Sequence, residues 1–170
     1  MKWHNYIVGI AHAVPEKSPC VRRRVGAVIV KDHAIVSTGY NGPARGEVHA
    51  TGDTCIRIGK PAGADPWVSC CVHAEANAIA QAARNGSSCV GATMYTTIAP
   101  CSMCQRLAVN AGIERILFAG DYGSDPQEIL RATHDHHFSS QEPVIEVRWI
   151  DAGNRVGVRP SDCPSRPEHS

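Results

Sequence analysis

The strongest constraint on this chain lies between residues 73 and 104. His73-Ala74-Glu75 opens that stretch and Pro100-Cys101-Ser102-Met103-Cys104 closes it. One imidazole and two thiols make a soft donor set that suits Zn²⁺, and three protein ligands leave a fourth tetrahedral position open. Water at such a position ionises near neutral pH. Glu75 stands two residues past His73. At about 100° per residue along a helix it points away from the ligand direction, so it reaches the water and not the metal. A carboxylate so placed is a general acid/base. A structural zinc knot would want four protein ligands and gives Glu75 no reason to follow His73. The rival reading of the Cys-x-x-Cys pair is a redox dithiol beside an unrelated histidine.

The chain between the two ends has to return. Residues 76–83 are Ala-rich and helical, and Ala-rich helices lie close against a sheet. Asn85-Gly86 ends the helix with residues that tolerate a left-handed cap. A strand follows at 92–97, then a helix at 101–111. Cys101 and Cys104, three apart, share one face at its start, where the helix dipole favours thiolates.

Outside this stretch, helical spacing over 6–14 stops at Pro15. The apolar run 25–30, a turn at Lys31-Asp32-His33 and a partner run 34–39 read as a hairpin. Further strands are expected at 113–119 and 144–150, and a helix at 127–133. The order predicts a three-layer α/β/α fold around a mixed five-stranded sheet, with both metal-bearing elements as helix N-termini meeting on one side. The domain is expected over residues 1–153. The tail 154–170, rich in Pro, Arg and Ser, is expected to be disordered or to lie on the surface.

Residues 44–69 form a long Gly/Pro-rich loop, which a compact domain must tie down or use. Cys20, His49, Cys55 and Cys70 are candidate ligands for a second, structural zinc that would hold it. Free thiols and a surface histidine are the alternative, and the residues leave both open. Asn41, in Tyr40-Asn41-Gly42-Pro43, sits where a loop leaves a strand. There it is either a turn residue or a ligand contact. The run Arg22-Arg23-Arg24 can meet a phosphate or simply be solvated. His134-Asp135-His136-His137 is read as solvated.

A formal charge of +1 over 170 residues gives no field demanding a nucleic-acid polymer. No run is long and apolar enough for a membrane span, and residues 1–14 lack the apolar core of a signal peptide. With thiols already committed to a metal motif, eight cysteines fit a reducing cytoplasm better than a disulfide scaffold.

The pattern His-x-Glu…Pro-Cys-x-x-Cys is similar to the signature of the zinc deaminases. With Val25-Gly26-Ala27-Val28-Ile29-Val30, Gly39-Tyr40-Asn41-Gly42-Pro43, Asn77-Ala78-Ile79 and Ala111-Gly112-Ile113, the chain resembles the cytidine deaminase-like superfamily. Within it, the chain resembles the deoxycytidylate (dCMP) deaminases. The resemblance implies hydrolysis of dCMP to dUMP and ammonia, with zinc on His73, Cys101 and Cys104 and Glu75 as proton shuttle. It implies that Asn41 meets the sugar, the backbone at Ala74 the base carbonyl and Tyr122 the phosphate end. It further implies a homo-oligomer, hexameric or dimeric, with Arg84 at a subunit interface and dCTP and dTTP as effectors. Family members with a second zinc often carry an Arg-Thr pair before the catalytic histidine, where this chain has Cys70-Cys71. Two alternatives stand beside this reading: a deaminase of the same superfamily for another base, nucleoside or nucleotide, and a non-catalytic zinc-binding module. An intact Glu75 counts against the second.

Overall fold

The computed structural model describes residues 3–60, 69–120, 146–150 and 156–157. In chain order these form α1 (Trp3–Ala13), a 3₁₀ turn (Val14–Lys17), β1 (Gly26–Lys31), β2 (Ala34–Tyr40), α2 (Ala74–Arg84), β3 (Thr93–Thr96), α3 (Ser102–Asn110), β4 (Arg115–Phe118), β5 (Glu146–Ile150) and β6 (Val156–Gly157). The sheet runs β2-β1-β3-β4-β5-β6. Pairing is antiparallel for β1 with β2 and β3, parallel for β3–β4 and β4–β5, and antiparallel again for β5–β6. The five expected strands are present in a mixed sheet. The sixth is a two-residue strand at Val156–Gly157, so the sheet reaches into what composition marks as tail. The expected helix at 127–133, the histidines at 134–137, Tyr122 and Cys163 lie outside the described residues.

Alternation along β1 explains the three layers. Ala27 and Ile29 face one side, packed with Ala74, Ala78, Met94 and Ile116. Val28 and Val30 face the other, packed with Ile7 and Ala11 of α1. A strand covered on both faces carries no polar alternation, which is why the run at 25–30 reads as continuously apolar. The hairpin turn takes the form that a right-twisted pair requires. Asp32 and His33 both have positive φ, 49° and 60°, the geometry of a two-residue primed turn.

Helix α2 carries the first half of the site, and small residues set how close it lies to the sheet. Ala74, Ala78 and Ala82 are spaced four apart and fully buried, forming one stripe. Opposite them β2 offers Gly39. A β-carbon there would collide with the Ala74 carbonyl and the Ala78 amide, and would lie 2.9 Å from Ala78 Cα. Two side-chain bonds fix the register. Ser37 Oγ donates to Ala78 O at 2.8 Å and Asn77 Nδ2 donates to Tyr40 O at 2.8 Å. The helix ends in a left-handed cap: Gly86 has φ 69°, with Ser87 N bonded to Ala82 O and Gly86 N to Ala83 O, so the last carbonyls keep partners. Because backbone atoms cannot swing aside as side chains do, Gly39→Ala is expected to cost ~3 kcal/mol, the upper part of the overpacking range. Thermal or urea denaturation checks this, and a variant as stable as the parent would mean that α2 does not depend on that approach.

Candidate active site

His73 and Cys101 occupy equivalent places. Each is the extended residue immediately before its helix, His73 for α2 and Cys101 for α3. Cys104 follows on the first turn of α3, on the same face. The chain returns to bring them together through β3, which lies beside β1 in the middle of the sheet. His73 Nδ1 lies 3.4 Å from Cys101 Sγ and 3.4 Å from Cys104 Sγ. All three donor atoms lie within 4.8 Å of one another. Metal–ligand bonds of ~2.0–2.3 Å at tetrahedral angles put donors about 3.5 Å apart, so the set fits Zn²⁺ through Nδ1 and two thiolates. Two first-turn positions beside free N–H groups add a favourable field for those thiolates.

The electrostatics follow from crowding. A hydrogen bond from Cys104 pulls the Cys101 thiol down to about 4, against the effect of burial. The same bond, with burial, pushes Cys104 up. His73 is raised, chiefly by its hydrogen bond with Cys101. Glu75 is 3% exposed, and burial pushes its carboxyl above the usual carboxylate range while His73 pulls it back. A carboxyl that holds its proton more readily than usual, beside an open metal position, is suited to both accept and deliver a proton.

A cavity of ≈ 220 Å³ opens onto the group, with His73, Ala74, Glu75, Asn41 and Cys101 in its wall. Ala74 begins α2, and N–H groups of a first helical turn have no partner within the helix. Asn41 has more to do than a turn residue. Its Oδ1 accepts from Val25 N at 2.8 Å and Ser18 Oγ at 2.8 Å, and its Nδ2 donates to Arg23 O at 2.8 Å. Buried at 8% exposure, it ties three segments around the cavity, and an amide has one further Nδ2 hydrogen to offer. Nothing local in Tyr40-Asn41-Gly42 signals that clamp, since its partners lie as far as 23 residues away.

The long loop is held partly by thiols. Cys55 and Cys70 are 3.8 Å apart, sulfur to sulfur. Cys71 is pushed up to about 11 by burial, then by Cys20, Cys70 and Cys55 around it. All four are half-buried and line the same cavity. The expected set of Cys20, His49, Cys55 and Cys70 is thus gathered only in part. His49 is exposed, and Cys71 stands with the other three. The four are gathered more loosely than the catalytic three. Among the described residues, His73, Cys101 and Cys104 are the group whose donor atoms all lie within 4.8 Å of one another. Arg84 is exposed in the last turn of α2, and it is not part of the cavity wall. Arg57, not singled out by the sequence, is buried in that wall, which also includes the exposed Arg22 and Arg23.

Residues 1–120 match the model of the cytidine and deoxycytidylate deaminase zinc-binding region. The chain belongs to that family. It is 41% identical to the deoxycytidylate deaminase of Mycobacterium phage D29 over 125 residues, 68% of this chain and 93% of the relative. It is 35% identical to ComE operon protein 2 of Bacillus subtilis over 157 residues, 91% of this chain and 78% of the relative. Among solved structures, dCMP deaminase from the cyanophage S-TIM5, crystallised with dCMP and dUMP, superposes with a TM-score of 0.67 at 24% identity. The match covers 88% of this chain and 99% of that one. This deaminase thus shares its fold across nearly the whole of that enzyme, and the zinc-binding region of the family is the stretch that holds His73, Cys101 and Cys104.

Proposed function

We infer that this protein is a zinc-dependent hydrolytic deaminase that converts dCMP to dUMP with release of ammonia. The observation that carries the reading is the buried Glu75 beside His73, Cys101 and Cys104 at one cavity wall. The family and its deoxycytidylate deaminase members support the substrate. When bound, zinc supplies Lewis acidity that makes water a nucleophile at neutral pH. The chain's own residues do the rest. Glu75 takes one proton from the water that attacks C4 of the cytosine and passes it to the ring nitrogen; it then takes the proton of the hydroxyl now on C4 and gives it to the amine, so that C4 becomes a carbonyl, the C4–N bond breaks and ammonia leaves. In this reading the backbone N–H of Ala74 meets the base carbonyl and the second Nδ2 hydrogen of Asn41 meets the sugar. Burial of Glu75 keeps that proton from exchanging with bulk water between the two transfers. The test is turnover: purified protein should release ammonia from dCMP and form dUMP in equal amount. Ammonia release from a purine or from free cytosine in preference to dCMP would overturn the substrate.

A second, structural zinc belongs to the proposal, held by Cys20, Cys55, Cys70 and Cys71. The 3.8 Å sulfur separation of Cys55 and Cys70 is the edge of a tetrahedron with ~2.3 Å zinc–sulfur bonds. Cys71→Ser is expected to lower bound zinc from two ions per chain to one, read by metal analysis of the purified protein. A single ion in the parent would remove this site and leave the catalytic one. Homo-oligomeric assembly with Arg84 at an interface, control by dCTP and dTTP, and a reducing cytoplasm complete the reading. No helix among the described residues is long and apolar enough to cross a membrane. Sedimentation with and without each triphosphate tests the assembly.

A further inference from the structure

The two halves of the metal group are built alike, and one half depends on a side chain. His73 and Cys101 have nearly the same backbone, φ −68° and ψ 153° against φ −71° and ψ 164°. Where a ligand's side chain starts from is set by the two planar peptide units that flank its α-carbon, since these fix φ and ψ. At His73 both flanking carbonyls are held by backbone. Val72 O accepts from Gly42 N at 3.2 Å, and His73 O accepts from Asn77 N at 3.0 Å. At Cys101 the following unit is held in the same way, with Cys101 O accepting from Gln105 N at 3.0 Å. The preceding unit is held by a side chain: Pro100 O accepts from Gln105 Nε2 at 3.0 Å. One residue thus closes both sides of Cys101.

Glutamine is a costly choice for that place. Gln105 is 1% exposed, and its Oε1 has no hydrogen-bond partner, the one buried side-chain polar atom so left among the described residues. An acceptor desolvated without a donor destabilises the fold. Methionine or leucine would fill the buried side of α3 without that loss. Turned over, the amide would set Oε1 against Pro100 O, acceptor against acceptor. The unpaired oxygen is therefore the consequence of aiming Nε2 at Pro100. Pro100 is itself fully buried, and a buried carbonyl needs a partner.

We propose that Gln105 is a positioning residue for the metal centre: by holding the peptide units on both sides of Cys101, it sets the Cys101 thiol beside His73 Nδ1 and Cys104 Sγ before zinc arrives. The proposal deepens the zinc-deaminase reading and rests on its metal, not on its substrate. A donor already in place loses less freedom when the ion binds, and the difference appears as affinity. Cys104 lies within the first turn of α3 and is placed by the helix itself. Cys101 stands outside the helix, as its N-cap, with no side-chain cap bond of its own. The clamp falls on the thiol that needs it.

The test is the zinc affinity of the full chain, Gln105→Met against parent. Methionine has a similar length and no donor. Apo protein is titrated with Zn²⁺ against a chromogenic chelator. Cys20, Cys55, Cys70 and Cys71 are the same in both proteins, so the difference between the titrations reports the His73 group. Gln105→Met should bind zinc there about 10-fold more weakly, the lower end for loss of a residue that orients a ligand. With Co²⁺ in place of zinc, its thiolate-to-metal absorption should be weaker and its visible bands shifted. The apo thermal midpoint should stay near the parent's, because the variant unpairs Pro100 O but removes the unpaired Oε1. Gln105→Asn, one methylene too short to reach Pro100, should weaken zinc likewise and carries the test if Gln105→Met does not fold. Zinc affinity and cobalt spectrum equal to the parent's overturn the proposal. So does a lower apo midpoint with zinc affinity unchanged, the mark of a bond that only supports the fold. Neither metal readout uses a nucleotide, so failure of the dCMP reading leaves this result as it stands.

Discussion

Glu75→Gln should retain zinc, fold and substrate affinity while losing about 10⁴ in kcat, the upper range for a positioned general acid/base. The substitution keeps shape and removes only the group that accepts and returns a proton. Glu75 is buried and its carboxyl is held above the ordinary range by that burial, so a neutral amide of the same size costs little to bury. The loss therefore falls on chemistry rather than on structure. The measurement pairs steady-state turnover of dCMP with metal analysis and a thermal midpoint on the same preparation. Retained turnover in the zinc-loaded variant would take Glu75 out of the reaction and leave the buried carboxylate unexplained.

The second large effect is on the metal. Cys104→Ala should drop catalytic zinc to about a tenth or less of the parent and abolish turnover with it, because two donors do not hold zinc in competition with water. Cys104 is 4% exposed and stands 3.4 Å from His73 Nδ1. Its loss also frees two helix N-termini, α2 and α3, that the metal would otherwise join, so the thermal midpoint should fall too. Chelation of the parent should reproduce the loss of turnover, and added Zn²⁺ should restore it. Restoration in the parent but not in Cys104→Ala places the effect at the ligand. Full zinc content in Cys104→Ala would mean that a different donor completes the site.

What could be read from residues alone follows the range of the interactions involved. The hairpin at Lys31-Asp32-His33 and the cap at Asn85-Gly86 are local, set by residues that accept positive φ, and both are where the pattern places them. The metal group is long-range, yet its two halves each carry a local signature and are joined by a helix, a turn and a strand that dictate their return. Arg57 has no such signature. It lies in a polar loop, and only the packed structure shows that this turn folds inward and buries a guanidinium in the cavity wall. Cys71 displaced His49 from the expected thiol cluster for a similar reason. Spacing along an irregular loop says little about which donors converge, whereas the bridge between Gly42 and Val72 pins the chain beside Cys71. The clamp made by Asn41 depends on Ser18, Arg23 and Val25, none of them readable from a turn motif. The sixth strand is a two-residue pairing with β5, too short to leave a pattern.

The central claim is that His73, Cys101, Cys104 and Glu75 form a working pyrimidine nucleotide deaminase. Ammonia release from dCMP by the purified, zinc-loaded protein tests it most directly, run beside deoxycytidine, cytosine, adenine and guanine. Stoichiometric dUMP and ammonia from dCMP, at a rate well above the other compounds and lost on chelation, is the result the account predicts. No ammonia from any of them, with zinc present at one ion or more per chain, would contradict it and leave a zinc-binding protein that does not deaminate.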